Sequence, residues 1–121
     1  MSTTLSMSKR LTAYNALTRC MFACREAQRL TNNAVTVNSL QLLHAEMFSV
    51  LRRLRNQDVP DQAARLAAAI NSAVALVSTL NGLVMAMPNP TRAEDNTTLQ
   101  NVQTVVSGAV TALISAQAAE R

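Results

Sequence analysis

Apolar residues recur along most of this chain at intervals of three and four, the spacing that lines one face of an α-helix. In the first such segment, from about Ser6 to Thr31, Tyr14, Leu17, Met21 and Cys24 form one stripe. Ala13, Ala16, Cys20, Ala23 and Ala27 form a second, small-residue stripe beside it, and Arg19, Arg25, Glu26 and Arg29 take the polar side. Thr31-Asn32-Asn33 supplies turn-forming residues that end the segment. A second helix is predicted from Asn38, whose side chain can cap it while Gln41 reaches back in capping-box fashion. Its apolar positions are Leu40, Leu43, Met47, Val50 and Leu54, with Leu42, Phe48 and Leu51 widening the apolar surface. It closes in Arg52, Arg53, Arg55 and Asn56, cations that complement the negative end of the helix dipole.

The third helix is predicted to open at Asp58-Val59-Pro60-Asp61, because Asp caps well and Pro is tolerated only in the first turn. Ala63, Leu66, Ile70, Ala73, Val77, Leu80, Val84 and Met87 then keep the same spacing, beside Ala69, Leu76 and Leu83. Pro88-Asn89-Pro90 ends it. Thr91 followed by Glu94 offers a capping box for a fourth helix, with Leu99, Val102, Val106, Ala109, Leu113 and Ala116 in register. Short connections between long helices make neighbours antiparallel, so the expected fold is all-α, an up-down-up-down four-helix bundle. The same pattern permits two helical hairpins completed by oligomerisation. Residues 1–121 form a single helical domain on this reading, with 1–5 flexible.

Composition sharpens the picture. Aromatic residues are 2% of the chain against 49% hydrophobic, so the core must be aliphatic. Two glycines and three prolines leave too little turn material for an all-β fold. Charge is sparse: no charged residue lies between Leu66 and Met87, nor between Leu99 and Ala119. Helices that face water normally carry charge on their outer side, so the third and fourth helices expose neutral polar groups or are covered.

Three coverings follow. Contact with further copies of the chain, or with other assembly proteins, suits small residues and neutral amides, which allow close approach without burying charge. The expected oligomer interface is Ala69, Ala73, Leu76, Leu83, Val105, Ala109 and Ala112. A membrane-inserted, holin-like hairpin is the second covering, and Asn71, Asn81, Gln100, Asn101, Gln103 and Gln117 argue against it, since an amide in lipid needs a partner. The third is water on a polar, uncharged face.

The net charge of +4 gains meaning from the topology. An up-down-up-down bundle gathers Lys9, Arg10, Arg52, Arg53, Arg55 and Arg65 at one pole, with Arg121 beside them and Asp58, Asp61 and Glu120 in partial opposition. The other pole sets Arg25, Arg29 and Arg92 against Glu26, Glu94 and Asp95. The basic pole could meet phosphates of nucleic acid, without sequence specificity, or of anionic lipid, or an acidic protein. Aromatics for base stacking and recognition-helix motifs are lacking.

No phosphate loop, nucleophile elbow or paired-carboxylate motif occurs, and His44 and Glu46, two apart, point to different sides of a helix. Cys20 and Cys24 share a face but fit neither an unstrained disulfide nor, with one histidine, a four-ligand metal site. No catalytic, cofactor-binding or metal residue is therefore assigned, and the chain is expected not to be an enzyme. Its N-terminus lacks the basic-then-apolar order of a secretory signal. The expectation is a structural or assembly subunit, in the cytoplasm or within a particle such as a virion. The alternative is a small interaction or regulatory module acting through the basic pole.

Overall fold

A computed structural model describes residues 3–55 and 62–118. Four α-helices account for nearly all of them: α1 Thr3–Arg29, α2 Ala34–Arg55, α3 Gln62–Met85 and α4 Ala93–Ala118. Neighbours run antiparallel. In α1 and α2, Arg10 meets Leu54 and Gln28 meets Val37. In α3 and α4, Gln103 meets Val84 and Gln117 meets Asn71. Each helix packs against the next and α1 closes on α4, so a single chain completes the up-down-up-down bundle.

The bundle is not square in section. α1 also touches α3 across the middle, whereas α2 and α4 do not meet among the described residues. Residue size accounts for this. The buried stripe of α1 is Ala13, Ala16, Cys20, Ala23 and Ala27 with Leu17 and Cys24, and α3 contributes Ala69 and Ala73 among its larger residues. Small side chains let these two axes approach. Leu40, Met47 and Leu54 of α2 and Leu99, Val106 and Leu113 of α4 fill the space on either side of that diagonal. Burial of each such large side chain contributes about 1.5–3 kcal/mol relative to exposure.

The core positions read from spacing on α2, α4 and α3 from Leu66 onward are all buried, while Ala63 is exposed. On α1 the two stripes, read side by side in the sequence, are buried to different depths. The small-residue stripe is wholly inside, and Tyr14 and Met21 of the larger stripe sit half-buried at its edge. Leu42 and Phe48, expected to widen the apolar face of α2, are exposed; Leu51 is buried.

The helix ends differ from the sequence reading in ways that local hydrogen bonds explain. α1 begins at Thr3, three residues before the expected Ser6. α2 starts four residues before Asn38, because Asn33 is the cap: its Oδ1 accepts from the Thr36 amide at 3.1 Å and its carbonyl from the Val37 amide. Thr31 Oγ1 in turn accepts from the Asn33 amide, fixing the approach to that cap. The Asp58–Asp61 start expected for α3 lies outside the described residues. α3 stops at Met85, with Met87 bonding three residues back to Val84 in a final tight turn before Pro88. At α4 the Thr91 box does not form. Glu94 turns to the Arg92 guanidinium, and the Arg92 carbonyl accepts from the Asn96 amide.

Candidate functional site

The seven residues expected to form an oligomer interface do not share a surface. Ala69, Ala73 and Ala109 lie in the chain's own core, so in the closed bundle no second copy can reach them. That corrects the expectation at these three positions. Small residues at helical spacing mark a close helix neighbour without saying whether it belongs to the same chain. Leu76, Leu83 and Ala112 are half-buried. Leu76 lines the cleft between α2 and α3 with Val50, Ser72 and Arg53. Val105 faces the other way, into the cleft between α1 and α4, beside Phe22, which is 71% exposed.

The outer surface of α3 and α4 is made by residues that the core stripe does not reveal. Met85, Gln100, Gln103, Thr104, Ser107, Gly108 and Thr111 line a shallow groove of about 580 Å³ there, and Ile114 is exposed on α4 beyond them. Three of its hydroxyls fold back on their own helices: Thr79, Thr104 and Thr111 each donate to the carbonyl four residues back. Its amides bind across the pair, Gln103 Nε2 donating to Val84 O at 3.0 Å and Gln117 Nε2 to Asn71 Oδ1 at 2.8 Å. A neutral face, with part of its donors already bonded, costs less to dehydrate than one carrying charge.

The chain's two glycines both belong to this pair of helices. Gly82 and Gly108 are exposed within α3 and α4, and a Cβ added to either would meet no atom within 4 Å. The two amide bonds fix the register of the pair and place both glycines within about one turn of the same height. Glycine inside a helix costs about 0.5–1 kcal/mol relative to alanine. Nothing within this chain requires that cost at either position.

The basic pole is only partly free. Lys9 is buried at 8% exposure. Arg10 is half-buried and its Nη1 donates to the Leu54 carbonyl at 2.6 Å, satisfying one of the unpaired carbonyls at the end of α2. Arg55 lies over the Tyr14 ring, 6.0 Å from its centre. Arg52, Arg53 and Arg65 are exposed. Arg121, Asp58, Asp61 and Glu120 lie outside the described residues. Between the start of α1 and the end of α2, Met7, Ser8, Arg10, Leu11, Tyr14, Leu54 and Arg55 line an open groove of about 630 Å³. The opposite pole carries the ion pairs Arg29–Glu26 and Arg92–Glu94, and Arg25 bonds Gln28 and Gln41 across α1 and α2.

Titratable groups add little chemistry. Burial pushes the Cys20 thiol up to about 12, with the neighbouring Cys24 adding to the rise and Arg19 opposing it. Cys24 is likewise pushed up to about 12 by burial, against the pull of Arg25. Both are free thiols. His44 is held below its ordinary value by desolvation and by the Arg25 charge, while Glu46 lines the α2/α3 cleft on another side of the helix. Among the described residues no three His, Cys, Asp or Glu side chains gather where they could hold a metal ion.

No family model, curated protein or solved structure matches this chain. The geometry therefore has to speak through its surfaces. It offers a neutral face on α3 and α4 and, on the opposite edge of the bundle, a groove with apolar walls and arginines at its rim. α3 from Ala63 to Met85 is long and apolar enough to cross a membrane, with a third of its most apolar stretch turned into the bundle core.

Proposed function

We propose that this chain is a non-enzymatic structural subunit that self-associates through the outer, uncharged face of α3 and α4, as one component of a larger particle such as a virion. The observation that carries this reading is the pair of exposed glycines, Gly82 and Gly108, set at similar height in a face that bears no charge and several of whose polar groups are bonded within the chain. A helix from a second copy can approach closely at such positions, because no Cβ stands in the way and no charge has to be stripped of water. Met85 and Ile114, exposed large apolar residues on these helices, supply the area that closer packing would bury. Two-fold pairing is the simplest outcome, since one self-complementary patch then serves both partners.

The interface assigned here differs from the one that spacing alone suggests: it uses the outer positions Gly82, Met85, Ser107, Gly108, Thr111 and Ile114. Substituting Ser107 and Thr111 by Glu tests it. Both positions are exposed, so the bundle itself tolerates the change. A multimer in the parent protein that falls to a monomer in the double variant, with unchanged helicity, supports the reading. An unchanged multimer in the variant sinks it.

A further inference from the structure

We propose that the groove between the start of α1 and the end of α2 is a docking site for an acidic amphipathic helix of another protein. The proposal is independent of self-association, because this groove lies on the edge of the bundle opposite the α3/α4 face.

Its walls are apolar and already partly dehydrated. Met7 and Leu11, one turn apart on α1, are 56% and 60% exposed, and Leu54, itself buried, forms the floor with Tyr14 beside it. Apolar side chains spaced by one turn are the natural complement of a helix that inserts its own residues at intervals of three and four. Methionine at such a surface adapts to the shape of what enters.

The rim sets the sign of the partner. Among the described residues, the charged ones lining the groove are Arg10 and Arg55, and none is a carboxylate. Arg55 is held against the Tyr14 ring, which leaves the edge of its guanidinium to pair with a carboxylate. Arg10 uses Nη1 on the Leu54 carbonyl and keeps its other donors for a ligand at the groove mouth. Arg52, exposed one turn before Arg55, extends the positive edge along α2. Glutamate or aspartate flanking an apolar stripe meets both requirements at once. Nucleic acid meets them less well, since it offers nothing for Met7 and Leu11, and the face of Tyr14 that could stack a base is occupied by Arg55. A lipid surface fits poorly for a geometric reason: the apolar atoms line a concavity rather than a protruding wedge.

The test uses the full chain and a synthetic helical peptide about five turns long, with leucines at helical spacing and glutamates flanking them. Saturable binding is expected, with NMR shift changes confined to the Met7, Leu11, Tyr14, Leu54 and Arg55 region. Leu11→Ser and Arg55→Gln should each weaken it by about tenfold, and Arg29→Gln at the far pole should leave it unchanged. The same peptide with lysine in place of glutamate should not bind. Absence of saturable binding overturns the proposal, as does affinity indifferent to Leu11→Ser and Arg55→Gln. So does tighter engagement of the same residues by duplex DNA or by vesicles containing anionic lipid.

Discussion

The two hairpins of this bundle solve the same packing problem and treat solvent in opposite ways. α1 and α2 carry Lys9, Arg10, Arg19, Arg25, Glu26, Arg29, Glu46, Arg52, Arg53 and Arg55; within α3 and α4 the charged residues are Arg65, Glu94 and Asp95. On the first hairpin, guanidinium groups reach between helices, to Leu54, Gln41 and the Tyr14 ring. On the second, neutral amides do that work and threonine hydroxyls fold back on their own helices. Both hairpins bury an apolar inner side, and the difference lies in what they show outside. The proposed roles assign different surroundings to the two outer faces: water and acidic groups on one side, another helix on the other.

The comparison can be broken hardest from the inside. Ala73→Glu places a carboxylate at a fully enclosed position of α3, and the bundle is expected to lose its fold, read as a collapse of helical signal in circular dichroism. Thr79→Glu, six residues further along α3 but exposed, should keep the helical signal. Equal effects at the two positions would contradict the inside and outside assigned to α3.

Next in size is the silence of the two thiols. With Cys20 and Cys24 pushed up to about 12 from an ordinary 9.0, labelling near neutral pH should run about a thousandfold slower in the native chain than in denaturant. The sign for stability follows from proton binding. Between pH 9 and about 12 the unfolded thiols have lost their protons and the folded ones retain them, so stability falls as pH rises through that window. Rapid native labelling would place the small-residue stripe of α1 outside the core.

A smaller effect is expected at the joint between the charged helices. Asn33→Ala removes the cap of α2 and should cost about 1 kcal/mol in urea unfolding. Asn38→Ala, at the position where sequence alone sets the cap, should cost much less, because Asn38 is exposed within the helix. The smallest change sharpens the comparison most. Gly82→Ala and Gly108→Ala should each stabilise the isolated bundle by about 0.5–1 kcal/mol, since the added methyl meets nothing. In a protein that assembles through these positions the same methyl groups weaken the multimer. Stability rising while mass falls is the expected signature.

Much of the fold was legible because burial follows period. Leu40, Leu43, Met47, Val50 and Leu54, and likewise Leu99 to Ala116, are buried where their spacing puts them. Helix ends were harder, because a cap depends on one local bond. Asn33 and Asn38 are equally good caps by type, and only the Thr36 amide decides between them. On α1, side-chain size misleads: Tyr14 and Met21 look like core, yet they sit half-buried at its edge while the alanines, the cysteines and Leu17 lie inside. The interface was least legible of all. Ala69, Ala73 and Ala109 carry the pattern of close helix approach, and that pattern is spent inside the chain. The absence of charge between Leu66 and Met87 was visible from the outset. Which neutral residues face outward needs the axis of the bundle, because Gly82 and Gly108 belong to no apolar stripe.

The central claim is that the α3/α4 face joins copies of this chain, and the most direct measurement is the mass of detergent-free protein by light scattering at low and at high salt. A neutral interface predicts one discrete multimer at both, since screening acts on charge and leaves apolar and amide contacts in place. A monomer at both salt concentrations would contradict it.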